Sequence, residues 1–399
     1  MIYPFIITLL KILELIVFIY FALGTLYFTV FSFAGLFPYH KIGSGSVKKR
    51  KFAVFIPGYK EDAVIIDIAK QALNQDYPRE LYDVIIIADS FQSSTLEILR
   101  TLPIHVIEVV FEKSSKSRAL NKAMSQIDKN YDSVIILDAD NIMEHHFITR
   151  MNRAMNNGFV AVQGHRTAKN RNTSFAILDS VSEEINNHIF RKGHRVLGLS
   201  SALIGSGMAF DYTLFKSYMA SIDSFGEDKE LEIKLLLDRH RIEYCEEAVV
   251  FDEKVQKSKV FMVQRTRWLA NQLIYARHYF FLSLRELILR HNLDLFDKVI
   301  QQFLPPRIFL LGFLVILSII SGLVNSLPFA LCWIGITALS IITLLISIPK
   351  QMFTLETFKA TWMLPKGFVF MIFSLFRISK AKRGFGATSH SIAQKQSSS

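Results

Sequence analysis

Two acidic pairs and one basic-aromatic cluster are the residues best placed, by type and spacing, to do chemistry. Asp138-Ala139-Asp140 closes the apolar run Ile135-Ile136-Leu137. Two carboxylates two positions apart at a strand end point the same way. Paired hard oxygens suit Mg²⁺ or Mn²⁺, which neutralises a diphosphate leaving group; the same spacing also suits an acidic turn that caps the next helix. Gly226-Glu227-Asp228 precedes a helical stretch over residues 229–237. Adjacent carboxylates resist full ionisation, which raises proton affinity toward the value useful to a general base. As first-turn residues, with Glu230 and Glu232, they also complement the helix dipole, and the two roles are compatible. Gln264-Arg265-Thr266-Arg267-Trp268 puts an amide, a guanidinium and an indole at i, i+3 and i+4, on one helix face. Arg grips a diphosphate by forked hydrogen bonds and Trp offers a flat surface to a sugar ring; an interfacial helix with a belt Trp and snorkelling Arg uses the same residues. Lys116 and Arg118 fit phosphate contacts at a helix start or a solvated face. Gly205-Ser206-Gly207 permits close backbone approach to a ligand or makes a tight turn. His165, His188 and His194 have no metal-ligand spacing and read as structural.

The elements that carry these residues follow from periodicity. Apolar runs of strand length at 52–56, 84–88, 104–110, 133–137 and 159–163 are rich in Val and Ile, as in strands covered on both faces of a parallel sheet. Helical patterns fall between them at 63–73, 116–127 and 145–156. The order is a repeated βαβ, so the domain is α/β and its ligand site belongs beyond the strand carboxyl ends.

Composition sets the surroundings. The chain has 399 residues, 51% of them hydrophobic, which excludes a disordered or collagen-like chain. Residues 15–37 and 308–349 carry no charge; a crossing needs about 20 apolar residues, so these read as one span and two spans. The first reads as an anchor, since it is too long for a cleaved signal and lacks a basic start. Cys245 and Cys332 alone give neither a disulfide framework nor a metal cluster. The formal charge of +11 resides in two flanks beside the spans: Lys41, Lys48, Lys49, Arg50 and Lys51 on one side, and the stretch from Lys350 to Ser399 on the other. That is the positive-inside pattern of a lipid-bilayer protein with a cytoplasmic domain, in the cell (inner or plasma) membrane; a nucleic-acid binder would carry the charge on the folded domain. The organisation expected is a transmembrane helix in 1–40, a basic linker at 41–51, the α/β domain at 52–280, an interfacial helix at 281–306, two spans in 307–350, an interfacial segment at 351–380 and a tail at 381–399.

In order, Ile56-Pro57-Gly58-Tyr59-Lys60-Glu61, Asp89, Lys116, Asp138-Ala139-Asp140, Gly205-Ser206-Gly207, Glu227-Asp228 and Gln264-x-x-Arg267-Trp268 resemble family 2 glycosyltransferases. The likeness runs over about Phe52 to Arg277. With the flanking spans it is similar to the membrane-bound branch of cellulose, chitin and hyaluronan synthases and exopolysaccharide N-acetylglucosaminyltransferases. The resemblance implies a GT-A fold, a Rossmann-like nucleotide-sugar-binding domain, and inverting, metal-dependent transfer of a hexose from a UDP-sugar, giving a β-linkage. It implies that Pro57, Tyr59 and Glu61 line the nucleotide pocket, that Asp89 contacts uracil and Lys116 the nucleotide, and that Asp138 holds the nucleotide and Asp140 the metal. Asp228 would be the base, with Glu227 beside it; Gln264 and Arg267 would bind diphosphate, and Trp268 with Gly205, Ser206 and Gly207 the acceptor. The chain departs from the family pattern at Lys60, a common Asn, and at Asp89-Ser90-Phe91-Gln92, which lacks a second acid. Phe385-Gly386-Ala387-Thr388-Ser389-His390 is similar to a gating loop of bacterial cellulose synthases, with His for Lys.

Three functions fit. The first is a synthase extending a cell-surface or extracellular polysaccharide, which with so few spans calls for a homo-oligomer or an export partner. The second is a transferase to a membrane lipid, resembling ceramide glucosyltransferases. The third is a non-catalytic nucleotide-sugar scaffold, which has no use for a base.

Overall fold

The computed structural model of the chain describes residues 2–39, 48–127, 130–223, 226–254 and 258–381. An eight-stranded sheet organises the middle of the chain: β1 (Phe52–Tyr59), β2 (Tyr82–Asp89), β3 (His105–Val109), β4 (Ser133–Ile136), β5 (Ile142–Met143), β6 (Ala161–Ala168), β7 (Met208–Asp211) and β8 (Ile242–Asp252), in the order β3-β2-β1-β4-β7-β6-β8-β5. The first four strands are parallel, as their Val/Ile runs predict. The second half departs from a uniformly parallel sheet, because β7 runs antiparallel to both β4 and β6, and β5 antiparallel to β8. The periodicity reading missed the two-residue β5 as well as β7 and β8. β7 is four residues long, and Glu243, Glu246 and Glu247 interrupt the apolar run of β8.

The helices are α1 (Ile2–Ala34), α2 (Ile65–Ala72), α3 (Ser93–Arg100), α4 (Lys116–Gln126), α5 (Phe147–Asn156), α6 (Ser174–Asn186), α7 (His194–Val196), α8 (Tyr212–Met219), α9 (Glu227–Leu237), α10 (Ser258–Arg290), α11 (Leu293–Ile300), α12 (Arg307–Val324), α13 (Leu327–Ile346), α14 (Leu355–Thr361) and α15 (Leu364–Ala381). Strand alternation splits the core in two. Phe52, Val54 and Ile56 of β1 pack with α2 and α5 on one face, and Ala53 and Phe55 pack toward α4, α8 and α9 on the other. Each such fully buried large side chain stabilises the fold by about 1.5–3 kcal/mol.

Among the described residues, three helices are long and apolar enough to cross a membrane: residues 5–34 of α1, and α12 and α13. They are the three expected spans. Small polar pairs join them, Thr29 with Thr343 at 2.8 Å, Ser32 with Ser347 at 2.7 Å and Ser318 with Thr337 at 2.7 Å. The expected helix at 281–306 is instead two pieces. No Gly or Pro lies between Ser258 and Arg290, so α10 runs unbroken past residue 280; it ends where His291 takes a φ of 54°, and Asn292 caps α11 by accepting from the Leu295 amide at 3.1 Å.

One feature of the packing is absent from the sequence reading. α6 and α7 are joined by a π-helical turn, Asn187–Gly193, into one rod, and Ile185 and Ile189 of that rod share a buried cluster with Phe21, Phe28 and Phe31 of α1, Leu310 and Leu314 of α12 and Trp333 of α13. Gly193 permits the approach: a Cβ there would stand 2.1 Å from the Phe31 carbonyl oxygen. The α/β domain and the apolar helices therefore share a core.

Candidate active site

The strand carboxyl ends converge on one lysine. Lys116 begins α4, whose N-cap Ser115 accepts from the Arg118 amide. Its Nζ pairs with the Asp138 carboxylate, donates to the Gly205 carbonyl at 2.6 Å and lies 3.9 Å from Glu227 Oε1. Burial alone would lower its proton affinity, but the charges of Asp138, Glu227 and Asp228 hold it above the ordinary lysine value. One ammonium thus joins three motifs spread along the sequence from Asp138 to Glu227. The Gly205-Ser206-Gly207 segment comes close because both glycines take the left-handed region, φ 84° and 63°. A Cβ on Gly205 would stand 3.7 Å from Asp228 Oδ2, and one on Gly207 only 2.5 Å from Val250 Cγ1. Ser206 is buried, with Arg166 Nη1 3.5 Å from its Oγ.

Asp138, Asp140 and Asp252 each offer one carboxylate oxygen, all within 4.8 Å of one another. Asp252, the last residue of β8, was missed in the sequence, although it closes Val249-Val250-Phe251 as Asp138 closes its own apolar run. Asn141 Nδ2 donates to Asp140 Oδ1 at 3.0 Å and to Asp252 Oδ1 at 3.1 Å, and Lys254 Nζ lies 2.8 Å from Asp252 Oδ2. Burial opposes ionisation of Asp252, yet Arg166 and Lys254 hold its carboxyl below the usual aspartate value. An all-carboxylate donor set is hard and suits Mg²⁺ or Mn²⁺. The acidic-turn alternative also holds locally, since the Asn141 amide donates to the Asp138 carbonyl at 3.1 Å.

Glu227 and Asp228 open α9, beyond Gly226, whose carbonyl accepts from the Tyr275 hydroxyl at 3.0 Å. Both carboxyls are raised. Burial pushes Glu227 up to about 7, with Lys116 pulling against it and the Asp228 charge adding to it. Burial likewise raises Asp228, with Lys229 opposing and Glu232 adding. Two buried neighbouring acids with raised proton affinity can exchange a proton with a bound hydroxyl.

The remaining expected residues are distributed as follows. Pro57 and Tyr59 lie at the end of β1, with the Tyr59 ring exposed, and Glu61 follows. Asp89 ends β2, is buried, and accepts from the Ser90 hydroxyl at 2.9 Å. Lys60 and Ser90 both hold a positive φ, 56° and 59°, and the Lys60 amide donates to the Asp89 carbonyl at 3.0 Å. Left-handed non-glycine residues at two adjacent strand ends mark a strained edge of the cleft. Gly58 has no Cβ because the Phe91 ring crosses it; an added Cβ would meet Phe91 Cζ at 2.8 Å. Arg267 and Trp268 lie on α10. Trp268 is stacked by the Arg265 guanidinium at 4.4 Å, and Arg265 pairs with Asp179 of α6. Among the described residues, no hydrogen bond or ion pair links Arg267 or Trp268 to the acidic cluster. The Gln264 side chain and the segment Phe385 to His390 lie outside the described residues.

A mixed α/β sheet with acids at its strand ends and a buried acid pair facing them defines a nucleotide-sugar-type GT-A fold. Residues 49–271, more than half of the chain, match the family described as "Glycosyltransferase like family 2", and the chain belongs to that family. It is 26% identical over 233 residues to the "Probable glycosyltransferase YdaM" of Bacillus subtilis (strain 168), covering 55% of this chain; the chain spans about half, 54%, of that curated relative. Among solved structures it is similar to the mannosyltransferase PcManGT from Pyrobaculum calidifontis in complex with GDP-Man and Mn²⁺, at 16% identity and TM-score 0.55, over 91% of this chain and 100% of that one. A likeness of that kind shows the fold. TarS of S. aureus in complex with UDP-GlcNAc matches over 84% of this chain and 91% of its own at 15% identity and TM-score 0.43.

Proposed function

We propose that the chain is a membrane-embedded inverting glycosyltransferase that moves a sugar from a UDP-sugar to a growing cell-surface or extracellular polysaccharide with a β-linkage. The observation that carries the reading is Lys116, whose single ammonium joins Asp138, the Gly205 carbonyl and Glu227 in one cleft. Asp138, Asp140 and Asp252 would hold Mg²⁺ or Mn²⁺, which supplies charge neutralisation at a departing diphosphate. Pro57, Tyr59, Glu61 and Asp89 border the nucleotide; the Asp89 carboxyl oxygens can accept from the N–H edge of uracil and equally from that of guanine, as in the GDP-Man of the Pyrobaculum calidifontis neighbour. Asp228 takes the proton of the acceptor hydroxyl, the hydroxyl oxygen bonds to the anomeric carbon from the opposite face, and the carbon–oxygen bond to the diphosphate breaks. Glu227 and Lys116 set the charge around that carboxylate. Gly205, Ser206 and Gly207 border the acceptor, and Gln264, Arg267 and Trp268 meet diphosphate and acceptor when substrates bind. The basic flanks at 48–51 and 350–380 keep the catalytic domain cytoplasmic. An oligomer or export partner completes any conduit, which three spans do not form alone.

A second reading, transfer to a membrane lipid, is favoured by the rod of α6 and α7 in the core shared with the apolar helices, which would hold the catalytic domain against a bilayer. Radiolabelled donor and native membrane lipid decide between them. The polysaccharide reading expects water-soluble product longer than one added sugar; label that partitions wholly into organic solvent overturns it for the lipid.

A further inference from the structure

Lys298 is a charged side chain that the reaction above leaves unused. It lies in α11, is 1% exposed, and its enclosed ammonium has no hydrogen-bond partner among the described residues. A buried, unpartnered ammonium is costly, because burial strips its hydration and nothing replaces it. Local conflicts of this kind concentrate where a residue serves a site.

The surroundings identify the site. Lys298 lines a small cavity, with room for about one water molecule, together with Glu232 and Lys229 of α9 and Tyr275 and Tyr279 of α10. Glu232 stands four residues after Asp228, on the same helix face. Its Oε1 accepts from the Leu203 amide at 2.9 Å and its Oε2 from Lys229 Nζ at 3.0 Å, while Lys229 Nζ also donates to the Leu203 carbonyl at 3.1 Å. Leu203 leads directly into Gly205. Glu232 and Lys229 therefore clamp the Gly-Ser-Gly segment to the helix that carries Asp228. α11 grips the same parts elsewhere. Asp294 accepts from the Ser200 amide at 2.7 Å and its hydroxyl at 2.5 Å, and Asn292 Nδ2 donates to the Leu236 carbonyl at 2.8 Å. Asp297, next to Lys298, accepts from the Tyr27 hydroxyl of α1 at 2.5 Å.

We propose that Lys298 is a positioning residue for the general base: across the water-sized cavity it holds Glu232, and so the spacing between Asp228 and the Gly205–Gly207 backbone, and through α11 it ties that spacing to α1. The inference rests on Asp228 being the base. The charged groups facing Asp228 are Lys229, Glu232, Lys116 and Glu227; those facing Lys298 are Glu232, Asp297, Asp294 and Lys229. Burial raises Asp228 and the negative charge of Glu232 adds to it; burial lowers Lys298, and the same Glu232 charge favours its ammonium form.

The test compares the full chain in detergent as wild type, Lys298→Met, Glu232→Gln and Asp228→Asn, reading Tm, donor KM, kcat and the pH profile of kcat. Lys298→Met is expected to keep or raise Tm, because it removes an unpartnered buried charge. Donor KM stays within about twofold and kcat falls on the order of tenfold or more. The acid limb of kcat moves to higher pH in Lys298→Met and to lower pH in Glu232→Gln. Unchanged kcat in Lys298→Met beside an inactive Asp228→Asn overturns the positioning role, as does a parallel loss of Tm and kcat. Turnover retained in Asp228→Asn overturns the base assignment, and this inference with it.

Discussion

Replacing Glu227 by Gln should make the protein more stable, and increasingly so as pH rises. The Glu227 side chain is 12% exposed, and burial lifts its carboxyl from 4.5 to about 7 against the pull of Lys116. The folded state therefore prefers the neutral acid. The stability this gives is complete below pH 4.5 and is lost as pH climbs through about 7, above which the wild type carries a charge that its surroundings penalise. A rise of that size corresponds to at most roughly 3 kcal/mol. Gln keeps the shape without ionising, but gives Lys116 less attraction, so a net gain of about 1–3 kcal/mol is expected above pH 8 and little below pH 5. In a domain of this size that is roughly 2–10 °C in Tm. Thermal unfolding of the detergent-solubilised wild type and Glu227→Gln, followed by intrinsic fluorescence from pH 5 to 8.5, measures the gap. A gap that stays flat or narrows with rising pH would refute the reasoning, since it would mean that Glu227 is folded as a carboxylate.

Asp140→Asn and Asp252→Asn should each weaken Mn²⁺ binding by about tenfold or more, read by titration against free Mn²⁺, and chelation of the wild type should abolish turnover until Mn²⁺ is restored. Gly193→Ala drives a Cβ to within 2.1 Å of the Phe31 carbonyl oxygen; the α1 seam must shift, lowering stability by about 1–3 kcal/mol in the same Tm assay. Gly58→Ala pushes on the Phe91 ring, 2.8 Å from the new carbon, at the end of the cleft proposed to take the nucleotide. Its donor KM should rise by about fivefold or more with kcat little changed, and an unchanged KM would detach Phe91 from the donor pocket.

The parallel half of the sheet was legible because strands covered on both faces read as unbroken Val/Ile runs, and the three apolar helices because a charge-free stretch of that length has few other uses. Asp138, Lys116, Gly205 and Glu227 were each singled out by residue type, but their meeting around one ammonium is a tertiary fact that no local pattern contains. Asp252 escaped because the glutamates in β8 hid the strand whose end it marks. The rod from Ser174 to Val196 escaped for a different reason. Its apolar face looks like that of any amphipathic helix, and only the packed structure shows that the face meets Phe28 and Trp333 and not the sheet. Lys298 reads in sequence as one more charge on an interfacial helix; its burial depends on α9 and α10 closing over it.

The most direct test of the central claim is nucleoside diphosphate release by the purified chain, with Mg²⁺ or Mn²⁺, across a panel of UDP- and GDP-sugars and with membrane-derived acceptor. The account predicts metal-dependent release from a UDP-sugar that disappears in both Asp140→Asn and Asp228→Asn, with nucleotide binding retained in Asp228→Asn. Release by Asp228→Asn at the wild-type rate would contradict it, because the proton of the acceptor would then be leaving by another route.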